Sequence, residues 1–309
     1  MKEISHDHNE NGAAQGKSVE TEKKLAPSTS LRGAETHPGG SAMNRIKNSL
    51  VASGGLSLLI VLLGVAPAAA GPKNSQVALG TIESDNKFSW AVNVQFVSAL
   101  ACKGVLIAPR WVLTAAHCID DRNHYTLEVF YERKDPVTGV MTSGSQETGL
   151  NSTFKHPDYR EGFPDADIAL VRLPKPFKHD PLLQPAELPT TGPALGRQGT
   201  VANFSHQKLL PAGQVAVLRA PILFVGETST SRRTFNARST TASLCPGDSG
   251  SGFMTLKGGL NVVTGIVSQA HLADCATANQ EFEAVSVYHH LSWISSITGR
   301  LPRNITGAF

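Results

Sequence analysis

Short runs of alternating apolar and polar residues, punctuated by Gly and Pro, fill the chain from Gly71 onward. Only the stretch from about Tyr288 to Ile297 carries helical apolar spacing. A chain patterned in this way is confined to an all-β class, as a barrel or a sandwich. Ser89–Phe96 alternates as a half-buried strand does. Gly104–Ile107 and Trp111–Thr114 flank the turn Ala108-Pro109-Arg110 and read as a hairpin. Leu127–Tyr131, Ile168–Leu173, Gln214–Leu218 and Leu260–Ser268 are further strands. The Pro-rich stretch Pro174–Pro193 breaks the pattern and reads as a connection between two β units.

The 309 residues are 40% hydrophobic and 17% charged, enough apolar content for one or two domains with a core. Net charge is +3, and 21 basic residues face 19 acidic ones from Gly71 onward. So weak a balance gives no footing for nucleic acid or an anionic membrane surface as partner.

The N-terminus has a different character. Residues 1–42 are polar and read as a disordered leader, or as sequence ahead of a true start at Met43. Residues 43–70 have the parts of a secretory signal peptide: basic Asn44–Lys47, an apolar run from Leu50 to Val65, then small residues ending at Ala70. Export of residues 71–309 to the extracellular space follows as an expectation, with cleavage after Ala70. The rival is a membrane tether, because residues 50–70 are long enough to span a bilayer; three glycines and a proline weaken it. All four cysteines, Cys102, Cys118, Cys245 and Cys275, lie beyond the cleavage site, which suits disulfides and leaves three pairings open. No Cys-x-x-Cys or His-x-x-x-His pair suggests a metal site.

Three segments carry chemistry. Cys245-Pro246-Gly247-Asp248-Ser249-Gly250-Ser251-Gly252 sets a serine between glycines that let the backbone turn tightly and present a hydroxyl. Thr114-Ala115-Ala116-His117-Cys118 offers a histidine, and Asp165-Ala166-Asp167-Ile168-Ala169-Leu170 an aspartate before an apolar strand. A serine hydroxyl needs a base, imidazole titrates near ~6.5, and a carboxylate can fix its tautomer. Asp165 competes with Asp167, but only Asp167 directly precedes Ile-Ala-Leu. The other histidines of the β region, such as His156, His289 and His290, read as core or solvated residues.

In the order His, Asp, Ser, and across nearly the whole chain after residue 70, the sequence resembles the trypsin/chymotrypsin serine proteases; Phe154–Tyr159 and Leu291–Ile294 fit as well. The resemblance implies two six-stranded antiparallel β-barrels, about 77–180 and 190–287, then a C-terminal helix at about 288–298. It implies His117 as general base, Asp167 as orienting carboxylate, Ser249 as nucleophile, and the N–H groups of Gly247 and Ser249 as oxyanion hole. It pairs Cys102 with Cys118 and Cys245 with Cys275. Protein or peptide substrates, protein inhibitors, a monomer, and neither metal nor organic cofactor are the partner expectations.

Ser243 stands at the pocket floor, where an Arg/Lys-preferring member carries aspartate, so no Arg/Lys preference is expected. Ser268, Ala270 and Phe282 fall on the pocket walls, with Ala270 and Phe282 where glycines are usual. Asp248 is the residue the family pairs with a newly cut ammonium, here in the region Ser75–Gly80. No Arg or Lys directly precedes Val77, and Asn236 stands where a third bridge's cysteine is common. Asn151-Ser152-Thr153, Asn203-Phe204-Ser205 and Asn304-Ile305-Thr306 fit the glycosylation pattern. The rival functions are a silent protease-fold binding protein, and an esterase whose Gly-x-Ser-x-Gly elbow is absent.

Overall fold

The computed structural model describes residues 77–96, 102–119, 126–177, 182–203, 213–225, 233–270 and 277–303. The leader, the signal peptide, residues 75–76 of the activation region, and Cys275 with its bridge lie outside the described residues.

Among the described residues fourteen strands and one α-helix follow in this order: β1 Thr81–Ser84, β2 Ala91–Phe96, β3 Cys102–Ala108, β4 Trp111–Thr114, β5 Thr126–Lys134, β6 Met141–Gly149 and β7 Thr153–Lys155. They continue with β8 Ala169–Arg172, β9 Gln198–Asn203, β10 Gln214–Val225, β11 Thr234–Arg238, β12 Gly252–Lys257, β13 Leu260–Ala270, β14 Glu281–Ser286 and α1 Leu291–Thr298. The strands form two sheets. One runs β6-β5-β2-β3-β4-β8-β7 and curls into a half-barrel. In the other, β10-β11-β14-β13-β12-β9 closes through a β9–β10 pairing into a six-stranded barrel. The mostly β architecture with a short C-terminal helix agrees with the fold class read from the sequence.

One connection departs from that reading. β1 lies within the segment assigned to the first barrel, yet it pairs antiparallel with β10 of the second, Thr81 opposite Val217. The N-terminal segment is therefore carried across to the closed barrel before the chain enters the half-barrel. β6 has no apolar alternation at its start, Met141-Thr142-Ser143-Gly144, and is held as an edge by its nine-residue pairing with β5.

Period-2 burial explains the cores. Along β5 the residues Leu127, Val129 and Tyr131 point inward with Val92, Val94, Leu106, Val112 and Val171. The closed barrel is filled by Phe235, Phe253 and Phe282, with ring centroids 5.1 Å and 6.1 Å apart along the series. Gly199 makes this possible, because a Cβ there would stand 2.0 Å from the Phe253 ring. A third cluster joins the two sheets. Ile107, Leu113, Ile168 and Leu170 of the half-barrel pack with Val215, Val217, Val263, Ile266 and Val285 of the barrel and with Ile294 of α1. Each such side chain, fully buried, contributes roughly 1.5–3 kcal/mol, and together they fix the relation of the loops that meet over this seam.

Candidate active site

His117 follows β4 in a single 3-10 turn, Ala116–Cys118, and the Cys102–Cys118 disulfide ties that turn to the start of β3. This is the bridge the resemblance implied. Asp167 precedes β8 and is almost fully buried, whereas the His117 ring is about one-third exposed. The two residues meet twice. The His117 backbone N–H donates to Asp167 Oδ1 at 2.8 Å, and Nδ1 lies 2.6 Å from Oδ2. Paired with a carboxylate, Nδ1 carries the proton and leaves Nε2 as the acceptor. Asp165 is half-exposed, so between the two aspartates the pairing falls on Asp167.

Ser268 holds the carboxylate from the other sheet. Its hydroxyl, on β13, donates to Asp167 Oδ2 at 2.6 Å. Sequence reading gave Ser268 a place on a pocket wall, and this bond is an additional role it missed.

Ser249 lies in the turn between β11 and β12. Its carbonyl accepts from the Lys103 N–H at 2.8 Å, and the Gly250 N–H donates to Val267 O at 2.8 Å. Gly250 has φ +81°, and a Cβ there would come within 2.2 Å of Lys103 O and 3.2 Å of Ala115 N. Only glycine lets the turn approach β3 and the end of β4, whose last residue, Thr114, stands three residues before His117. Gly247 also takes a positive φ, +94°. The structure thus brings the His117–Asp167 pair and the Ser249 turn to one place on the seam between the sheets.

Behind the serine lies a buried polar cluster centred on Asp248. Oδ2 accepts from the N–H groups of Val77 and Cys245, at 2.8 and 2.7 Å. Oδ1 accepts from Asn203 Nδ2, whose Oδ1 takes the Ser251 hydroxyl at 2.7 Å. Burial pushes the Asp248 carboxyl up to about 6, opposed by those hydrogen bonds and by the Lys103 charge. Burial likewise pulls the Lys103 ammonium down to about 8, with Asp248 working in the other direction. Val77 is buried at φ +48° and Leu79 has φ +60°. Asn203 is buried in this network, so its glycosylation triplet marks a structural residue; Asn151 is exposed.

Sequence reading missed Lys103, Asn203 and Ser251. A lysine placed between Cys102 and the apolar Gly104–Ile107 run was the available signal. Ser243 is buried, and its N–H donates to Ala78 O at 3.0 Å, so it anchors the segment next to Val77. Ala270 is half-buried and pairs with Phe282 across β13 and β14. The Phe282 ring lies in the barrel core against Phe253. Cys245 is buried. Cys102, His117 and Cys118 place ligand atoms within 4.8 Å of one another, but the two sulfurs are spent in the disulfide.

A profile of the Trypsin family matches residues 79–294. Kallikrein 1-related peptidase b27 of Mus musculus is 28% identical over 266 residues, 76% of this chain and 94% of its own length. Vitamin K-dependent protein C of Rattus norvegicus is 26% identical over 72% of this chain. Kallikrein 1-related peptidase b22 of Mus musculus is 32% identical over 41% of it. The matches span about half the length of the last two, 52% and 51% respectively.

Proposed function

This chain belongs to the trypsin family of serine-type endopeptidases, and we propose that it hydrolyses peptide bonds of protein substrates through a covalent acyl intermediate on Ser249. The observation that carries this reading is the doubly bonded His117–Asp167 pair beside the glycine-flanked Ser249 turn.

In the proposed reaction His117 Nε2 takes the Ser249 proton as Oγ attacks the scissile carbonyl carbon. The N–H groups of Gly247 and Ser249 stabilise the oxyanion, a contribution on the order of 10²–10³ in rate for each donor. The imidazolium, held by Asp167, then protonates the leaving amine, and a water deprotonated by the same imidazole releases the acid. A neutral pocket floor at Ser243 supports cleavage after small or medium apolar residues and gives no counter-charge for Arg or Lys. Secretion by way of the 43–70 segment and a monomeric state complete the reading.

Labelling with a fluorophosphonate, read by intact mass, tests it. One adduct on the folded protein, absent in Ser249→Ala, is the expected result. A folded protein that takes up no adduct in either its full-length or its trimmed form would refute the hydrolase reading and leave a protease-fold binding protein. A peptide library then reads the preference, and rapid cleavage after arginine overturns the specificity part.

A further inference from the structure

Lys103 is an ammonium sealed inside the molecule. The residue is 2% exposed, and among the described residues its buried Nζ has no hydrogen-bond partner. The main chain around it is clamped: its N–H donates to Ser249 O, and its carbonyl accepts from Thr114 Oγ1 at 2.7 Å. A buried ammonium without hydrogen bonds is costly, and a position tolerates it only where a counter-charge lies close. The Asp248 carboxylate, one residue before the serine, favours the charged form of Lys103 through space, without a hydrogen bond between them.

The view from Asp248 is complementary. The residue is 1% exposed, and its carboxylate is met by Val77 N–H, Cys245 N–H and the Asn203 amide, all of them neutral donors. The charge of Lys103 favours the ionised form of Asp248. Val77 is already seated on Asp248 as an internal residue of the chain, through an amide that carries no charge. No Arg or Lys directly precedes Val77, and the serine turn, with Gly247 and Gly250 at positive φ, is nonetheless formed.

We propose that Lys103 is a positioning residue: its ammonium is the resident counter-ion of Asp248 and holds the Ser249 turn in its reactive form before any cut frees Val77. The proposal rests on the hydrolase reading above. It makes this chain active while uncut, with a Val77 ammonium, once released, able to take over the role of Lys103.

The test uses the full chain with five substitutions, Pro72→Asp, Lys73→Asp, Asn74→Asp, Ser75→Asp and Gln76→Lys, so that a site-specific protease releases Val77 on demand. Fluorophosphonate labelling rates are measured before and after the cut, with Lys103 retained, changed to Met, or changed to Arg. Thermal unfolding verifies that each form is folded, and Lys103→Gln replaces Lys103→Met through the same arms if the latter does not unfold cooperatively. The uncut parent is expected to label, uncut Lys103→Met to label about tenfold or more slowly, and Lys103→Arg to restore the rate. After the cut, Lys103→Met should match the parent.

Equal rates for uncut parent and uncut Lys103→Met overturn the proposal. So does an uncut parent that labels only after the cut, or a Lys103→Met that stays slow after it. A parent that labels in neither form fails the hydrolase reading itself, an outcome separate from the others.

Discussion

Ser268 and His117 share one oxygen: both lie 2.6 Å from Asp167 Oδ2, the first from the closed barrel and the second from the half-barrel. The carboxylate is therefore gripped from both sides of the seam, and the orientation of the imidazole depends on how the two sheets pack. Hydrogen bonds to a charged group contribute about 1.5–3 kcal/mol. Ser268→Ala is expected to lower kcat about tenfold with KM little changed, as loosening of the aspartate costs reaction more than binding. Asp167→Asn should cost on the order of 10⁴ in kcat by favouring the wrong tautomer. Steady-state kinetics on a peptide ester and a peptide amide measure both, and a Ser268→Ala enzyme with unaltered kcat removes the shared grip from the account.

Gly250→Ala tests the turn. Its φ of +81° disfavours any side chain, and the added Cβ would meet backbone at 2.2 Å, where nothing flexible can give way. Left-handed strain of about 1–3 kcal/mol adds to an overpacking cost of similar size. We expect a loss of at least about 2 kcal/mol in urea unfolding, together with loss of fluorophosphonate labelling. A variant as stable and as reactive as the parent contradicts the close approach described here.

The sequence made the candidate site more legible than the topology. His117, Asp167 and Ser249 stand in short segments whose neighbours have local reasons to be there, such as the glycines of the serine turn and the cysteine after the histidine. β2 was legible by its alternation and β5 and β13 as short apolar runs between turn signals, although only β5 alternates in burial while β2 and β13 are buried through most of their length. β6 did not, since its early residues are polar and its order comes from the partner strand β5. β1 was misplaced because four residues, Thr-Ile-Glu-Ser, cannot say which sheet they join; that is decided by pairing with β10. Phe282 read as a pocket wall, but its ring lies with Phe253 in the barrel core. The buried partners of Asp248 were illegible for a physical reason: Asn203, Lys103 and Val77 are brought to it over 45 to 171 residues of chain, and no local pattern encodes that convergence.

The Cys102–Cys118 bridge closes a segment with a sequence separation of 16. For a loop of that size the restriction of the unfolded chain is worth about 3 kcal/mol. Replacing both cysteines by Ala should lower stability by about that amount, and it frees the turn that carries His117. We expect kcat to fall while labelling stays confined to Ser249. Urea unfolding and kinetics on the double variant check this; unchanged unfolding would mean that the half-barrel packing alone holds the turn.

Stability against pH isolates the buried pair. Lys103 holds its proton less tightly when folded, about 8 against an ordinary 10.5, so unfolding takes up a proton between those values. From this group stability is complete above pH 10.5 and is lost as pH falls through 8. Asp248 behaves oppositely: its carboxyl is raised from 3.8 to about 6, so its contribution is complete below pH 3.8 and is lost as pH rises through 6. Both burdens coincide at neutral pH, where both groups are ionised. Lys103→Met removes one of them and should unfold at higher urea than the parent at pH 7, by at most about 3 kcal/mol. By pH 9.5 the gap should narrow, because the parent's lysine is then largely neutral. A gap that is constant between pH 7 and 9.5 would mean that Lys103 is not buried as an ammonium, whatever its effect on the serine turn.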